Sequence, residues 1–415
     1  MITAVLIGAG GRGIGAYGAF ALRNPEDIRF VGVADPDIER RTYFAIQHQI
    51  PLENQFSSFE ELLSKPKMAD TCFICTQDQL HVQPTLMAFE KGYDVFLEKP
   101  MAIAPKDCVL LENEAQKHHR KWMIGHVLRY TLFFSKLKEL IDSKLIGDLM
   151  TIQHNENVGY YHMAHSYVRG NWRNTALSAP MILAKSCHDM DILMWLSGSR
   201  PAKVSSFGNL GHFKSSTQEK PTPKYCLDGC FKQDTCPYYA PKVYLNGPDW
   251  MKFPVSNDMS NEALLKALKN GPYGRCVYHS DNDVVDHQVV SILFENGMTA
   301  AFTMSGFTHE ITRTIKIMGS LGEIRGHMDK NEIEVHVFGE DQPRIIHLDT
   351  MDYGHSGGDY GIMKSFVRYI EKGDNEALTS AHESVLSHLL SFAAEDSRLQ
   401  SKTIDFTSYV QEAFQ

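Results

Sequence analysis

The residues best suited to chemistry fall in four places: a glycine turn, Gly8-Ala9-Gly10-Gly11-Arg12-Gly13; a Glu98-Lys99-Pro100 turn; a run holding Lys185 and His188; and a polar, aromatic stretch from Tyr160 to Arg173. Glycines spaced in this way, following a strand and opening a helix, point backbone amides and a helix N-terminus at a pyrophosphate. Gly8 permits the tight turn, Gly10 lets the backbone approach the phosphates, and Gly13 lets helix and strand pack closely, with Arg12 among them. Asp35 lies where a carboxylate can accept hydrogen bonds from an adenosine ribose, which favours NAD. Arg40 and Arg41 leave NADP open. An ammonium such as Lys99, held in a cleft beside a cationic ring, would have a lowered pKa and could relay a proton.

Tyr161, His162, His165, Arg169 and Trp172 mix aromatic faces, which can stack on sugar C–H surfaces, with groups that can bond hydroxyls or an attached anion. A solvated polar loop would share that composition. His162 and His165 could share a metal by spacing, but no carboxylate or cysteine ligand is evident nearby. Four of the eight cysteines, Cys226, Cys230, Cys236 and Cys276, could close a structural zinc site, and reduced thiols or a disulfide are the alternatives. Cys72 and Cys75 fall in a strand candidate, where packing is the stronger reading.

The elements that must position these groups divide into two textures. From Ile2 to about Ile124, strand candidates (Thr3–Ile7, Arg29–Ala34, Thr71–Cys75, Asp94–Leu97, Trp122–Ile124) alternate with helical spacing, as over Leu80–Lys91 and Lys106–His118. That pattern predicts an α/β Rossmann domain, a doubly wound parallel sheet, over residues 1–124. Residues 125–415 read as an α+β substrate and oligomerisation domain with a large, mostly antiparallel sheet, including a helix over Met181–Leu196 capped by Gly198. A Cys-rich insertion at about 211–283 interrupts it.

With 415 residues, 43% hydrophobic and 22% charged, the chain has the composition of a globular protein with two cores. A net charge of −9 argues against nucleic acid as a partner, and no apolar run is long enough to span a bilayer. The amino terminus lacks a secretory pattern, so a cytoplasmic location is expected.

Taken in order, the glycine turn, Asp35, Cys75-Thr76-Gln77-Asp78-Gln79-Leu80-His81, Val95-Phe96-Leu97-Glu98-Lys99-Pro100 and Gly125-His126-Val127-Leu128-Arg129-Tyr130 resemble the Gfo/Idh/MocA oxidoreductases. His188, Asp191 and Gly319-Ser320-Leu321-Gly322-Glu323-Ile324 extend the resemblance across the second domain. The resemblance implies that Thr76, His81, Glu98 and Lys99 lie with the cofactor and that Lys99 stands near the nicotinamide and a substrate hydroxyl. It also implies a frequently cis Lys99-Pro100 bond, and a homo-oligomer, dimer or tetramer, formed through the second sheet.

One departure is specific. The family places an aspartate four residues before the histidine, where this chain has Ala184 followed by Lys185. His188 is read as a substrate-hydroxyl partner and acid/base group, with Lys185 beside it on roughly the same helix face. Expected function is therefore NAD-dependent hydride transfer to or from a ring carbon of a sugar, sugar acid or cyclic polyol. The alternative is a redox-neutral, NAD-dependent glycoside hydrolase working through transient oxidation and elimination, and a non-catalytic sensor is the third class. A last cluster, Tyr353 to Tyr360, could place His355 or Asp359 at the substrate mouth or serve only as a helix entry.

Overall fold

The computed structural model describes residues 1–218, 220–349, 353–373, 378 and 380–415. Six strands, β1 (Ile2–Ile7), β2 (Ile28–Ala34), β3 (Gln55–Phe56), β4 (Thr71–Ile74), β5 (Asp94–Leu97) and β6 (Trp122–Ile124), form a parallel sheet in the order β3-β2-β1-β4-β5-β6. Their Val, Ile, Leu and Phe side chains are buried on both faces, as a sheet covered by helices on two sides requires. The strand order reverses between β1 and β4, and at such a switch point the carboxyl ends of the strands open a crevice for a ligand.

One cover of this sheet comes from far away in the chain. Helix Gly358–Lys372 sets Phe366 edge-on against Phe73 and Phe96, with ring centroids 5.3 and 5.2 Å apart. Helix Ala381–Gln400 brings His388 to the backbone of Met101 at 3.0 Å. The first core is thus finished by residues well beyond 124, because burying both faces of β4 and β5 takes more helix than the first 124 residues place there.

The second sheet has nine strands: β7 (Leu149–Asn157), β8 (Pro201–Asn209), β9 (His287–Phe294), β10 (Thr299–Ser305), β11 (Thr312–Gly319), β12 (Gly322–His327), β13 (Glu332–Val337), β14 (Arg344–His347) and β15 (Ile404–Asp405). They run β14-β13-β12-β11-β7-β10-β9-β8-β15, antiparallel except for the β7–β10 pair. Strict alternation along β9 buries one face against helices and leaves Val289 and Leu293 exposed on the other, beside Phe207 of β8, which pairs with Val289.

One expectation changes, and two segments whose structure the sequence left open are folded. The helix expected over Met181–Leu196 is two pieces, Met181–Ala184 and Cys187–Ser197, broken at Lys185-Ser186 before Gly198 ends it in the left-handed region. Residues 160–169 are helical, wound as a π-helix over Met163–Arg169. The insertion is folded, with helices Ala240–Leu245, Asp249–Lys252 and Asn261–Asn270 around a small core of Cys226, Ala240, Tyr244, Met251 and Leu268.

That core also corrects the zinc expectation. Among the described residues no group of three or more His, Cys, Asp or Glu is arranged to hold a metal ion. Cys226, Cys230, Cys236 and Cys276 are free thiols, with Cys226 3.6 Å from the Arg169 guanidinium and Cys276 3.4 Å from the Thr222 hydroxyl. Apolar packing and Arg169 organise the segment in place of a metal. Among the described residues, no helix is long and apolar enough to cross a membrane.

Candidate active site

The glycine turn follows β1 and leads into a helical stretch from Gly11 to Arg23, π-wound over Gly13–Gly18. Gly8 has φ +96°, and a Cβ there would meet the Cys75 carbonyl at 2.6 Å, so the turn and the approach of β4 both demand glycine. A Cβ on Gly13 would lie 2.4 Å from the Gly8 oxygen, whereas one on Gly10 would meet nothing within 4 Å. The turn is therefore tight beneath and open above, a cradle into which a pyrophosphate fits. Asp35, buried at the end of β2, accepts from the Ala9 amide at 2.7 Å and the Asp37 amide at 2.8 Å, which joins the ribose end to the turn. These residues fit a dinucleotide.

Arg12 departs from expectation. Its guanidinium is bound to Glu98 at 2.6 Å, to Asp359 at 2.9 and 3.0 Å and to the Tyr17 hydroxyl at 2.8 Å, so it braces the site and is not held out toward phosphate. Tyr17 also donates to Glu98. Burial opposes the charge on Glu98, but Arg12, the Tyr17 hydroxyl and Lys99 hold its carboxyl below the ordinary range. Burial likewise opposes Asp359, and Arg12 with His355 holds it well below. Asp359 is therefore more than a helix entry: it ties the second domain to the glycine turn. His355, Ser356 and Gly357 before it all take positive φ (51°, 51° and 88°), a strained run kept in place by that tie.

His81 also braces. Its ring nitrogens lie 2.7 Å from the Pro100 oxygen and 3.1 Å from the Thr76 oxygen, and the Thr76 hydroxyl donates to Leu80. They shape the Lys99 turn, whose Lys99-Pro100 bond is cis. Lys99 Nζ then reaches across to donate to the Ala184 oxygen at 2.7 Å. That carbonyl is available because the helix stops at Ala184, leaving the end of its last turn without a continuing backbone donor.

Around that contact stand groups from the second domain. Lys185 Nζ is 3.2 Å from Glu156, whose other oxygen is 2.6 Å from Arg313. Arg313 Nε donates to Asp189 at 2.7 Å, and His154 Nε2 lies 2.8 Å from the same carboxylate. Burial lowers the pKa of Lys185; Glu156 acts against this, and Arg313 and Lys99 reinforce it. Burial, then Lys99, pushes His188 well below the ordinary imidazole value, and its Nδ1 has no hydrogen-bond partner. Burial, then Lys185, does the same to His162, whose Nδ1 is also unpartnered. Both imidazoles are neutral acceptors at neutral pH. Because the helix is broken, Lys185 and His188 are not neighbours on one helix face but stand on separate segments.

Behind His188 lies a chain of buried imidazoles: His126 at 5.7 Å between ring centroids, then His388 at 5.2 Å from His126. Arg129 and Asp191, both buried, form a bidentate pair at 2.7 Å. The sequence reading missed Tyr17, Glu156, Asp189 and Arg313; only Glu156 carried a signal, as a charge on the inward period of β7 with Ile152 and His154.

The rim residues divide. Trp172 Nε1 donates to Asp78 at 3.3 Å, and Tyr161 is part-exposed against the core of the insertion. His165 is turned into the insertion, 3.1 Å from the Tyr244 hydroxyl and stacked on Tyr273. Arg169 is fully buried and donates to the carbonyls of Arg275 and Tyr238 at 2.7 Å. It pins the insertion and does not reach the pocket.

Family models for the NAD-binding Rossmann fold and the C-terminal alpha/beta domain of this oxidoreductase family match residues 2–126 and 138–406. The chain belongs to the Gfo/Idh/MocA family of oxidoreductases. The protein YteT of Bacillus subtilis (strain 168) is 24% identical over 325 residues, 73% of this chain and 72% of that protein. The 2,7-anhydro-N-acetylneuraminate hydratase of Mediterraneibacter gnavus is 26% identical over 204 residues, 48% of this chain and 52% of the relative. Among solved structures, levoglucosan dehydrogenase with NADH and levoglucosan has a TM-score of 0.73 at 15% identity, covering 98% of this chain and 99% of that one. An oxidoreductase from Agrobacterium radiobacter with NAD+, L-tartaric acid and magnesium has a TM-score of 0.69 at 15% identity, covering 98% and 99%. These structural likenesses carry the fold.

Proposed function

We propose that this Gfo/Idh/MocA chain is an NAD-dependent oxidoreductase acting at a ring carbon of a sugar, sugar acid or cyclic polyol, with Lys99 and His188 as its proton-handling pair. The observation that carries this is Lys99 Nζ, 2.7 Å from the Ala184 oxygen, its charge acting on Lys185, His162 and His188 around it. When bound at the glycine turn, NAD supplies the hydride acceptor or donor. Lys99 Nζ, as a cation, orients the reacting hydroxyl, and neutral His188 accepts the proton released as hydride leaves and returns it in the reverse direction. Lys185, His162, Trp172 and Tyr161 hold the rest of the ring. Glu156 and Asp189 are each paired with cations, and Lys99 adds a further positive charge, so among the three substrate classes the pocket favours a sugar acid. The exposed Phe207, Val289 and Leu293 support self-association through the open sheet face.

A second reading is favoured by Ala184. Without a carboxylate at that position, and with two neutral imidazoles in the pocket, transient oxidation followed by elimination would return the hydride and leave no net oxidation. The relative named as an anhydro-sugar hydratase is consistent with redox-neutral chemistry.

The test presents NAD-loaded protein with a panel of sugars, sugar acids and cyclic polyols and their chromogenic glycosides. NADH accumulating in step with substrate loss supports the first reading, and aglycone release without net NADH supports the second. Neither signal on any compound overturns both. On the active compound, Lys99→Ala is expected to lower turnover by about 10²–10⁴-fold while NADH still binds by fluorescence titration.

A further inference from the structure

The insertion at 211–283 takes no part in the chemistry described above, yet it touches both ends of the cofactor crevice. Helix Asp249–Lys252 sets Trp250 edge-on to His162 and His165, with ring centroids 5.2 and 5.5 Å apart. Immediately after it, Phe253 lies against the Arg40 guanidinium, 5.8 Å from the ring centroid, and Asn257 donates to the Glu39 carboxylate. Glu39 and Arg40 are the first turn of helix Ile38–His48, whose cap Asp37 follows Asp35 by two residues. This is the end of β2 at which an adenosine ribose is expected. There, Arg40 Nε is buried and makes no hydrogen bond, its ion-pair partner being the Asp37 carboxylate at 3.6 Å.

The far end of the insertion reaches the other side. Asp281 binds Arg173 at 2.8 Å and Asp283 binds Thr175 at 2.7 Å, which fixes the segment that carries Trp172 and Ser178 onto Asp78. Contacts therefore run without a gap in the fold from residues 39–40, beyond β2, to residue 78, beyond β4. Those two strands flank β1 and its glycine turn, so this bridge crosses the mouth of the crevice.

We propose that the insertion completes the cofactor site: Phe253 and Asn257 form the outer wall of the adenosine pocket, and a dinucleotide bound there is enclosed and released only when that wall lifts. The inference rests on the NAD reading of the glycine turn. Enclosure slows exchange of the cofactor, so that its release follows the chemistry in each turnover, and Trp250 links the same wall to the substrate rim.

The test loads full-length protein with NADH, adds a large excess of NAD+, and follows the loss of bound-NADH fluorescence. Phe253→Ala/Asn257→Ala removes only part-exposed side chains, so the apo melting temperature is expected to stay unchanged. NADH release is expected to accelerate by at least about tenfold. Equal release rates in the two proteins overturn the inference. Failure of the parent protein to bind NADH at all overturns the cofactor reading itself. A variant that melts lower is replaced by Asn257→Ala alone, which must still release faster than the parent.

Discussion

Two buried ion clusters flank Lys99, and they differ in sign. On the dinucleotide side, one guanidinium, Arg12, faces two carboxylates, Glu98 and Asp359. On the substrate side, Glu156 and Asp189 are matched by Lys185 and Arg313, with Lys99 Nζ as a further cation bonded only to a neutral carbonyl. The first cluster carries a net negative charge, which Lys99 partly offsets at Glu98, and under the proposed function it would face the cationic ring of the cofactor. Counted with Lys99, the second carries a net positive charge, and under the proposed function it would face the substrate. Each lies in a low-dielectric interior, where an uncompensated charge acts strongly on its neighbours. The difference teaches how one lysine is shared: Lys99 bonds the Ala184 carbonyl on the substrate side while its charge also acts on Glu98 on the dinucleotide side.

The comparison can be broken most forcefully at Asp189. Asp189→Asn strips Arg313 and His154 of their shared partner, and loss of one member of a buried pair costs about 3–5 kcal/mol. Urea denaturation should show that loss, and a midpoint unchanged from the parent would mean the substrate-side cluster is not a true ion network.

The imidazoles come next. Burial, then His126, lowers His388 to about 3, and burial, then Arg169, lowers His165 to about 4. A histidine whose folded pKa lies below its unfolded value is neutral in the native state and charged in the unfolded one. Its stabilising contribution is present above about 6.5 and is lost as pH falls from there toward the folded value. His388→Gln should therefore flatten the dependence of unfolding free energy between pH 6 and 4 by about 1.4 kcal/mol per pH unit. A parallel slope in the variant would contradict the buried, neutral assignment.

The smallest effect sharpens the sign of the cofactor-side cluster. Asp359→Asn leaves Arg12 and Glu98 balanced, so the preference for oxidised over reduced cofactor should fall by about fivefold, roughly 1 kcal/mol. Titrating both forms of the dinucleotide measures it. An unchanged ratio would place the nicotinamide away from this cluster.

Legibility in the sequence followed the range of the interactions. Strands β1, β2, β4, β5 and β6 were readable because each is a short apolar run between turn residues, while the two-residue β3 and β15 carry too few side chains for any period to show. The glycine turn was readable because the demand on Gly8 is local: positive φ and a nearby backbone are consequences of one strand-turn-helix unit. Arg12 was misplaced because its partners, Glu98 and Asp359, lie 86 and 347 residues away. His165 and Arg169 were assigned to the substrate because polar aromatic composition does not say which way a helix faces. The cysteines suggested zinc because spacing in sequence says nothing about whether thiols converge.

By itself, the sequence determined the two layered architectures, the dinucleotide turn and the position of Lys99, all of which follow from periodicity and short-range steric demands. Only the tertiary structure decided which charges neutralise each other, that the helix before His188 breaks and offers the Ala184 carbonyl to Lys99, and that the insertion spans the crevice. Those outcomes depend on burial and on partners brought together from opposite ends of the chain, and a charge in an interior is defined by its neighbours in space, not in sequence.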